Sequence, residues 1–171
     1  MNKTIIEPRL RPELLPQVCL LDLQNYNLSH PENWLRIAEQ RPENYTTITR
    51  GDNLLGYSLV FPLKKAAYEA LRAGRIGDFE LQLKDLSEEP AGFYVASVAS
   101  SMRIRGRFPF LGGLLVGLVG AQTIKTPKEV IAIPVSRTGK NLAEMFGMRR
   151  LKDYEHLPGV GGFVPAIYVI N

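Results

Sequence analysis

The sequence predicts an α/β or α+β fold in which helices cover a central sheet. Segments with the apolar pattern of strands follow one another along the chain, and segments of helical periodicity lie between them. The chain has 171 residues, of which 45% are apolar, so it can bury one sizeable core. Because no internal repeat, low-complexity tract or linker divides it, we expect residues 1–171 to form a single domain.

The first part of the chain is predicted to contain one strand and two helices. Residues 3–7 have the pattern of a short strand, and residues 11–23 that of a helix. Its apolar residues at helical spacing are Leu14, Val18 and Leu21. Ser29 and Glu32 form a capping-box pair, which predicts that a second helix starts at Ser29 and that His30 lies at the surface. The buried face of this helix would comprise Trp34, Ile37 and Ala38.

A hairpin and a third helix are predicted next. Residues 45–49 and 54–61 have strand character, and turn-forming residues at 50–53 join them. A helix follows and ends near Gly74, since glycine tolerates the left-handed backbone that closes helices. Its inward residues would be Ala67, Ala70 and Leu71. Residues 78–86 carry apolar side chains at alternate positions, which predicts a strand, with a short helix as the alternative.

The stretch of residues 92–119 combines a strand, a basic loop and a helix. Residues 92–99 are small, β-branched or aromatic and uncharged, which predicts a buried strand. The loop at residues 100–108 holds three arginines and one glycine, and residues 111–119 have the apolar stripe of a helix. This order suits a phosphate group, because unpaired N–H groups at a helix start and arginine side chains both bind anions.

The C-terminal part is predicted to contain two strands with a helix between them. Residues 129–135 have strand character but include Pro134, which donates no ladder hydrogen bond and so needs a position without a neighbour on that side. Residues 136–148 predict a helix that is closed by Gly147. Its inward residues would be Leu142, Met145 and Phe146. Residues 163–170 predict the final strand.

The charge of the chain is unevenly distributed. Residues 1–90 contain 11 Lys and Arg against 13 Asp and Glu, a balance of −2, whereas residues 91–171 contain 10 against 4, a balance of +6. The half with the basic loop therefore carries the positive field. A polyanionic ligand such as coenzyme A would account for this field, as would nucleic acid or a solvated basic face without a partner.

The segment from Arg103 to Phe108 resembles the acyl-CoA-binding signature of the GCN5-related N-acetyltransferase (GNAT) superfamily, Gln/Arg-x-x-Gly-x-Gly/Ala after the fourth strand. Arg103 and Gly106 match the first and fourth positions, whereas Phe108 stands where the family has a small residue. The order of elements along most of the chain is also similar. The resemblance implies a mixed central sheet of six to seven strands, flanked by helices, whose fourth and fifth strands splay apart.

The resemblance also implies where acetyl-CoA or another acyl-CoA would bind. Its pantetheine arm would pair with the backbone of Val98 and Ala99, much as an added strand would. Its pyrophosphate would lie on the loop formed by Arg103, Ile104, Arg105, Gly106, Arg107 and Phe108. Arg137, which corresponds to an asparagine of the family, would meet a cofactor phosphate.

In this superfamily an acceptor amine attacks the thioester directly, a backbone N–H stabilises the oxyanion, and a general acid reprotonates the leaving thiolate. Many members have a tyrosine four residues before the glycine that closes the fourth helix, and here that position is Ala143. The remaining candidates for the general acid are Ser136 and Tyr154, and departure of the thiolate without assistance is the alternative.

The leading prediction is an acyl-CoA-dependent N-acyltransferase that transfers an acetyl group to a small-molecule or protein amine. Two alternatives stay open. The chain could bind acyl-CoA without catalysis, as Ala143 and Phe108 suggest, or resemble long-chain N-acyl amino acid synthases. The sequence does not identify the acceptor, the acyl chain length or the oligomeric state, for which a homodimer is left open.

The composition does not favour several other classes of protein. Two histidines and one cysteine without a close acidic cluster do not predict a metal site, and aromatic residues do not alternate with basic ones as nucleic-acid stacking requires. No apolar run reaches the about 18 residues that span a bilayer. The first residues lack a secretory signal, and the single cysteine, Cys19, has no partner within the chain for a disulfide. We therefore expect a cytoplasmic protein.

Overall fold

The computed structural model describes residues 3–27, 30–101, 128–157 and 159–170. The strands in these residues are β1 (Thr4–Glu7), β2 (Tyr45–Arg50), β3 (Asn53–Leu63), β4 (Gly92–Ser100), β5 (Val130–Ala132), β6 (Arg149–Asp153) and β7 (Ala166–Ile170). They form a seven-stranded sheet in the order β1-β2-β3-β4-β5-β7-β6. The pair β4–β5 is parallel, whereas β1–β2, β2–β3, β5–β7 and β6–β7 are antiparallel, so the predicted mixed sheet is confirmed.

The α-helices of the described residues are α1 (Leu15–Tyr26), α2 (Glu32–Gln40), α3 (Lys65–Arg72) and α4 (Arg137–Met145). Within the part of the chain that the structure describes, none of these helices combines the length and the apolar character that crossing a membrane requires. The chain divides into two compact units, which we describe one at a time. The first takes the described residues up to Val60 and those from Ser97 to Ser101, and the second takes the others.

The first unit is built on the predicted β2–β3 hairpin. Its turn passes through Gly51, whose φ of 60° lies in the left-handed region that glycine adopts without strain. The three apolar residues predicted for the first helix are buried, and so are the three predicted for the second, namely Leu14, Val18, Leu21, Trp34, Ile37 and Ala38. The helical periodicity of the sequence therefore predicted the helix faces that cover this unit's core.

The predicted start of the second helix is wrong. Helix α2 begins at Glu32, and Pro31 occupies the N-cap position without a side-chain cap. The carbonyl of Pro31 accepts the first helical hydrogen bonds, from Trp34 and Leu35, each at 3.0 Å. Because a residue before proline is biased away from helical backbone, the helix cannot extend back through His30. The predicted cap, Ser29, lies outside the described residues.

In the second unit, α3 is followed by Gly74 with a φ of 62°, as predicted. The predicted strand at residues 78–86 is wrong, since the segment forms two 3₁₀ turns, Asp78–Glu80 and Leu83–Asp85. In each turn an acidic side chain accepts a backbone hydrogen bond from three residues earlier, at 2.6 Å for Glu80 and 2.9 Å for Asp85. These local bonds stabilise turns, and of the alternating apolar residues Leu81 is buried, whereas Phe79 and Leu83 are half-buried.

The C-terminal elements differ from the prediction in three respects. Strand β5 ends at Ala132, two residues before Pro134, and β7 begins only after Pro165. Strand β6 was not predicted, because four of its five residues are charged and suit the edge of the sheet. Met145 is 64% exposed, so its predicted inward position is wrong. The buried residue of α4 is Ala143.

Candidate functional site

Strands β4 and β5 pair over only three residue pairs. The register runs from Phe93↔Val130 to Val95↔Ala132, and β4 then continues from Ala96 to Ser100. Proline cannot donate a ladder hydrogen bond, so Pro134 could not extend this pairing through its own nitrogen. The second half of β4 therefore lies beyond its hydrogen-bonded pairing with β5. The resemblance implies such an early end of the pairing, because the fourth and fifth strands of the family splay apart.

Within the first unit, side chains from the last turns of α1 contact this second half of β4. The Tyr26 hydroxyl donates to the carbonyl of Val98. The Asn25 amide nitrogen donates to the carbonyl of Ser100 at 3.1 Å and also to the carbonyl of Leu21, one turn earlier in α1, at 2.8 Å. Two consecutive residues of α1 thus bind carbonyl groups on the strand that the sequence assigns to the cofactor.

A buried carboxylate, Asp22, lies one turn before these residues and is 5% exposed. Its Oδ1 accepts hydrogen bonds from the hydroxyls of Tyr57 and Ser97, the latter at 3.3 Å. Its Oδ2 contacts Nδ1 of His30, whose Nε2 is 2.9 Å from the Tyr45 hydroxyl. His30 is 7% exposed, so its predicted surface position is wrong. Its two ring nitrogens have buried polar partners, which offset the cost of removing an imidazole from water.

The tyrosines around Asp22 retain their protons at neutral pH. Burial, and then the negative charge of Asp22, raises the pKa of Tyr26 to about 12. The same two causes, in the same order, raise the pKa values of Tyr45 and Tyr57 well above the ordinary value. Each hydroxyl therefore remains available as a hydrogen-bond donor. This protonation is what the contacts from Tyr57 to Asp22 and from Tyr26 to Val98 require.

In the second unit, Ser136 and Arg137 lie at the start of α4. Ser136 is the N-cap, and its hydroxyl oxygen accepts a hydrogen bond from the Gly139 N–H at 3.1 Å. Its own proton remains available for a second contact, because a hydroxyl both accepts and donates. Arg137 is the first residue of the helix and is exposed. The positive end of the helix dipole and this guanidinium make the region attractive to an anion.

Tyr154 is 2% exposed and lies inside the second unit. Its hydroxyl donates to Oδ1 of Asp78 at 2.9 Å and accepts from the Asp78 backbone N–H at 2.6 Å. Tyr94 donates to the other oxygen of the same carboxylate at 2.8 Å. Burial, and then the charge of Asp78, raises the pKa of Tyr154 far above its ordinary value. These contacts give Tyr154 a structural role, and its role as a general acid stays a prediction.

The predicted phosphate loop, Arg103, Ile104, Arg105, Gly106, Arg107 and Phe108, lies outside the described residues. Val98 and Ala99 lie in β4, as predicted, and Ala99 is 2% exposed. Sequence reasoning did not identify the residues that contact this part of the strand, which are Asp22, Asn25, Tyr26 and Tyr57. One signal was present, since Asp22 is the only charged residue of α1.

Several solved structures resemble the whole chain. A GNAT-like decarboxylase, GphF, in complex with isobutyryl-CoA has a TM-score of 0.75 at 16% identity, over 96% of this chain and 97% of its own. Naa50 of Arabidopsis thaliana, bound to the bisubstrate analogue CoA-Ac-MVNAL, has a TM-score of 0.70 at 13% identity, over 98% of both chains. A mosquito arylalkylamine N-acetyltransferase-like protein, 5b, has a TM-score of 0.67 at 17% identity, over 98% of this chain and 99% of its own.

No protein-family model matches the chain, and no curated protein matches its sequence. At these identities the similarity to solved structures establishes the fold, and it covers nearly all of the chain. The chain therefore has the fold of these proteins, two of which were solved with a CoA compound bound. Its activity has to be argued from its own residues.

Proposed function

We propose, from the GNAT fold that this chain has, that it is an acyl-CoA-dependent N-acyltransferase. The observation that carries the proposal is the early end of the β4–β5 ladder at Val95↔Ala132, while β4 continues to Ser100. Backbone groups beyond the ladder can pair with the amides of a pantetheine arm, as with an added strand. Val98 and Ala99 are the residues that we expect to make these contacts.

The phosphate groups of acyl-CoA need cationic partners elsewhere in the chain. Arg137 supplies one, because it is exposed at the positive end of α4. The six residues from Arg103 to Phe108 would supply the others, and they belong to the half of the chain with a charge balance of +6. The donor set therefore suits a polyanionic thioester carrier.

The reaction that we propose is direct transfer of the acyl group to an amine. The nitrogen lone pair forms the new amide bond as the carbon–sulfur bond of the thioester breaks. The amine loses a proton to water or a general base, and the thiolate takes one from a general acid or from water. Among the described candidates, Ser136 keeps a hydroxyl proton for this step, whereas the hydroxyl of Tyr154 is engaged by Asp78 on both sides.

The acceptor that we propose is an amine of a small molecule or of a protein. This class is supported by two of the similar structures, one holding a CoA–peptide bisubstrate analogue and one being related to arylalkylamine N-acetyltransferases. We also propose that the protein is cytoplasmic and forms a single domain. Whether it forms a homodimer is left open. A longer acyl chain than acetyl is also compatible with it.

A second candidate function is binding of acyl-CoA without transfer to an amine. Ala143 favours it, because this residue replaces the tyrosine that the resemblance implies and is 7% exposed within the core. The GNAT-like decarboxylase bound to isobutyryl-CoA also indicates that this fold serves acyl-CoA proteins of another reaction class.

A thermal-shift screen with coenzyme A, acetyl-CoA and acyl-CoAs of increasing chain length tests both candidates. We expect the melting temperature to rise with ligand concentration, because binding to the folded state alone stabilises it. Release of free thiol on addition of amines would then support the transferase, and binding without amine-dependent thiol release would support the second candidate. Absence of any shift at about 1 mM of every acyl-CoA would exclude both.

A further inference from the structure

We infer that Asn25 and Tyr26 are positioning residues that hold the second half of β4 in the geometry needed to bind acyl-CoA. The inference deepens the proposed function and rests on it. It concerns four consecutive residues of the strand, Ser97–Ser100, and one face of α1. These residues belong to the first unit, and all of them are described by the structure.

The spacing of three residues in α1 places their side chains on one side of the helix. Asp22, Asn25 and Tyr26 stand at positions i, i+3 and i+4, which share one helix face. Each of them makes a hydrogen bond to Ser97–Ser100. The three bonds are Ser97 Oγ to Asp22 Oδ1, Tyr26 hydroxyl to Val98 carbonyl, and Asn25 amide to Ser100 carbonyl. One helix face therefore contacts three of the four residues.

The carbonyl groups of this part of β4 need hydrogen-bond donors. A carbonyl left without a hydrogen bond in the interior destabilises the fold, because it loses its water partners and gains no others. Ser100 is 4% exposed and Val98 is half-buried, so water has limited access to the two carbonyls that α1 contacts. The side chains of α1 satisfy carbonyls that lie beyond the ladder with β5. These contacts occupy one of the two acceptor lone pairs on each carbonyl and use no backbone N–H of the strand, so they do not prevent it from binding a ligand.

The helix that supplies these side chains, α1, is itself held in place by further contacts. Asp22 is fixed by His30 and Tyr57, so α1 is tied to other elements of the unit by buried polar contacts. The last turn closes at Asn27, whose φ of 55° is left-handed and whose N–H donates to the Leu23 carbonyl at 3.0 Å. The Asn25 amide also donates to the Leu21 carbonyl. Asn25 and Tyr26 thus act from a fixed support.

The test compares Tyr26→Phe and Asn25→Ala with a matched control, Tyr68→Phe. Tyr68 is 8% exposed and donates its hydroxyl to Glu129 in the second unit, so the control also loses a phenol hydrogen bond. For each variant, coenzyme A binding is measured by titration calorimetry and stability by urea unfolding. Hydrogen exchange of the amides of residues 97–101 is measured without ligand.

We expect Tyr26→Phe to weaken coenzyme A binding about tenfold and Asn25→Ala to weaken it severalfold, with faster exchange at residues 97–101 in both. The control should lose stability to a similar extent yet bind coenzyme A like the unaltered protein. If Tyr26→Phe does not fold, Asn25→Ala carries the test. This substitution removes the amide hydrogen bonds of Asn25 and leaves every buried hydroxyl group in place. Once an acceptor is known, the variants should raise KM for acyl-CoA more than they lower kcat.

Two negative outcomes differ in meaning. If the unaltered protein binds coenzyme A, but the two α1 variants bind it as tightly as Tyr68→Phe does, the positioning role is refuted and the proposed function stands. If the unaltered protein binds neither coenzyme A nor any acyl-CoA, the proposed function fails, and the positioning role fails with it.

Discussion

The imidazole Nδ1 of His30 contacts the carboxylate Oδ2 of Asp22 in the interior of the first unit, where the two side chains are 1% and 7% exposed. An ion pair of a different kind, Glu32 with Arg36, lies on α2 with side chains 82% and 70% exposed. The difference in exposure between these pairs leads to the first prediction.

Asp22→Ala should lower the free energy of unfolding by about 3–5 kcal/mol, because it leaves the buried polar groups of His30, Tyr57 and Ser97 without their shared acceptor. Glu32→Ala should change it by less than about 0.5 kcal/mol, since solvent screens an exposed pair. Urea unfolding followed by circular dichroism measures both values. Equal effects of the two substitutions would contradict the burial of Asp22.

The second prediction concerns the pH dependence of stability at Glu129. Burial alone would raise the pKa of this carboxyl group, but the hydrogen bonds from Arg72 and Tyr68 outweigh burial and hold the pKa below its ordinary value. A carboxyl group whose pKa is lowered by folding stabilises the protein above its unfolded pKa. This contribution is lost as the pH falls through the folded pKa.

Glu129→Gln should therefore cost about 1 kcal/mol at pH 7, the usual size of a lost hydrogen bond, and less at about pH 3, where more of the carboxyl group is protonated. Unfolding midpoints at the two pH values measure the difference. Glu39→Gln, at an exposed residue of α2, is the matched control and should have little effect at either pH. A cost for Glu129→Gln that is the same at both pH values would rule out the lowered pKa.

The third prediction separates the two roles of Ser136. Loss of the N-cap in Ser136→Ala should reduce stability by about 1 kcal/mol, whereas Ser136→Asn should retain it, because asparagine is an effective cap. If Ser136 is also the general acid, both variants should slow amine-dependent thiol release by about 100-fold. Full activity in the stable Ser136→Asn variant would leave Ser136 with the capping role alone.

The fourth prediction concerns the close approach of Gly92 to Tyr68. A Cβ atom at Gly92 would lie 2.2 Å from Cε2 of the Tyr68 ring, so Gly92→Ala must displace a ring that is 8% exposed. The expected cost is about 1–3 kcal/mol. In a Tyr68→Ala background the same substitution should cost much less, and a double-mutant cycle measures this coupling. Additive effects would show that the ring is not the obstacle.

Much of the fold could be predicted from the sequence, because periodicity reports which face of an element is buried. The hairpin at β2–β3 and the buried face of α2 are the clearest cases. Residues 78–86 could not be predicted, since an alternating apolar pattern fits both a strand and two capped turns. The charged edge strand β6 lacks the apolar pattern from which strands are recognised.

The candidate site was less accessible to sequence reasoning. Val98 and Ala99 were assigned from the position of their strand, which the structure confirms as β4. The side chains that contact that strand are far from it in sequence. Tyr26 is separated from Val98 by 72 positions, and Asn25 from Ser100 by 75. A contact at this separation leaves no local pattern. His30 was misplaced for the same reason, because its burial depends on tertiary contacts with Asp22 and Tyr45.

Ala143 stands where the family resemblance implies a tyrosine, and its surroundings limit replacement by that larger residue. Its methyl group belongs to a small buried cluster with Ala166 and Tyr168, and Met148 packs against it. A second aromatic ring would have to share the volume that Tyr168 already fills. We therefore expect directed evolution toward faster thiol release to recover Ala143→Tyr only together with a smaller side chain at residue 168.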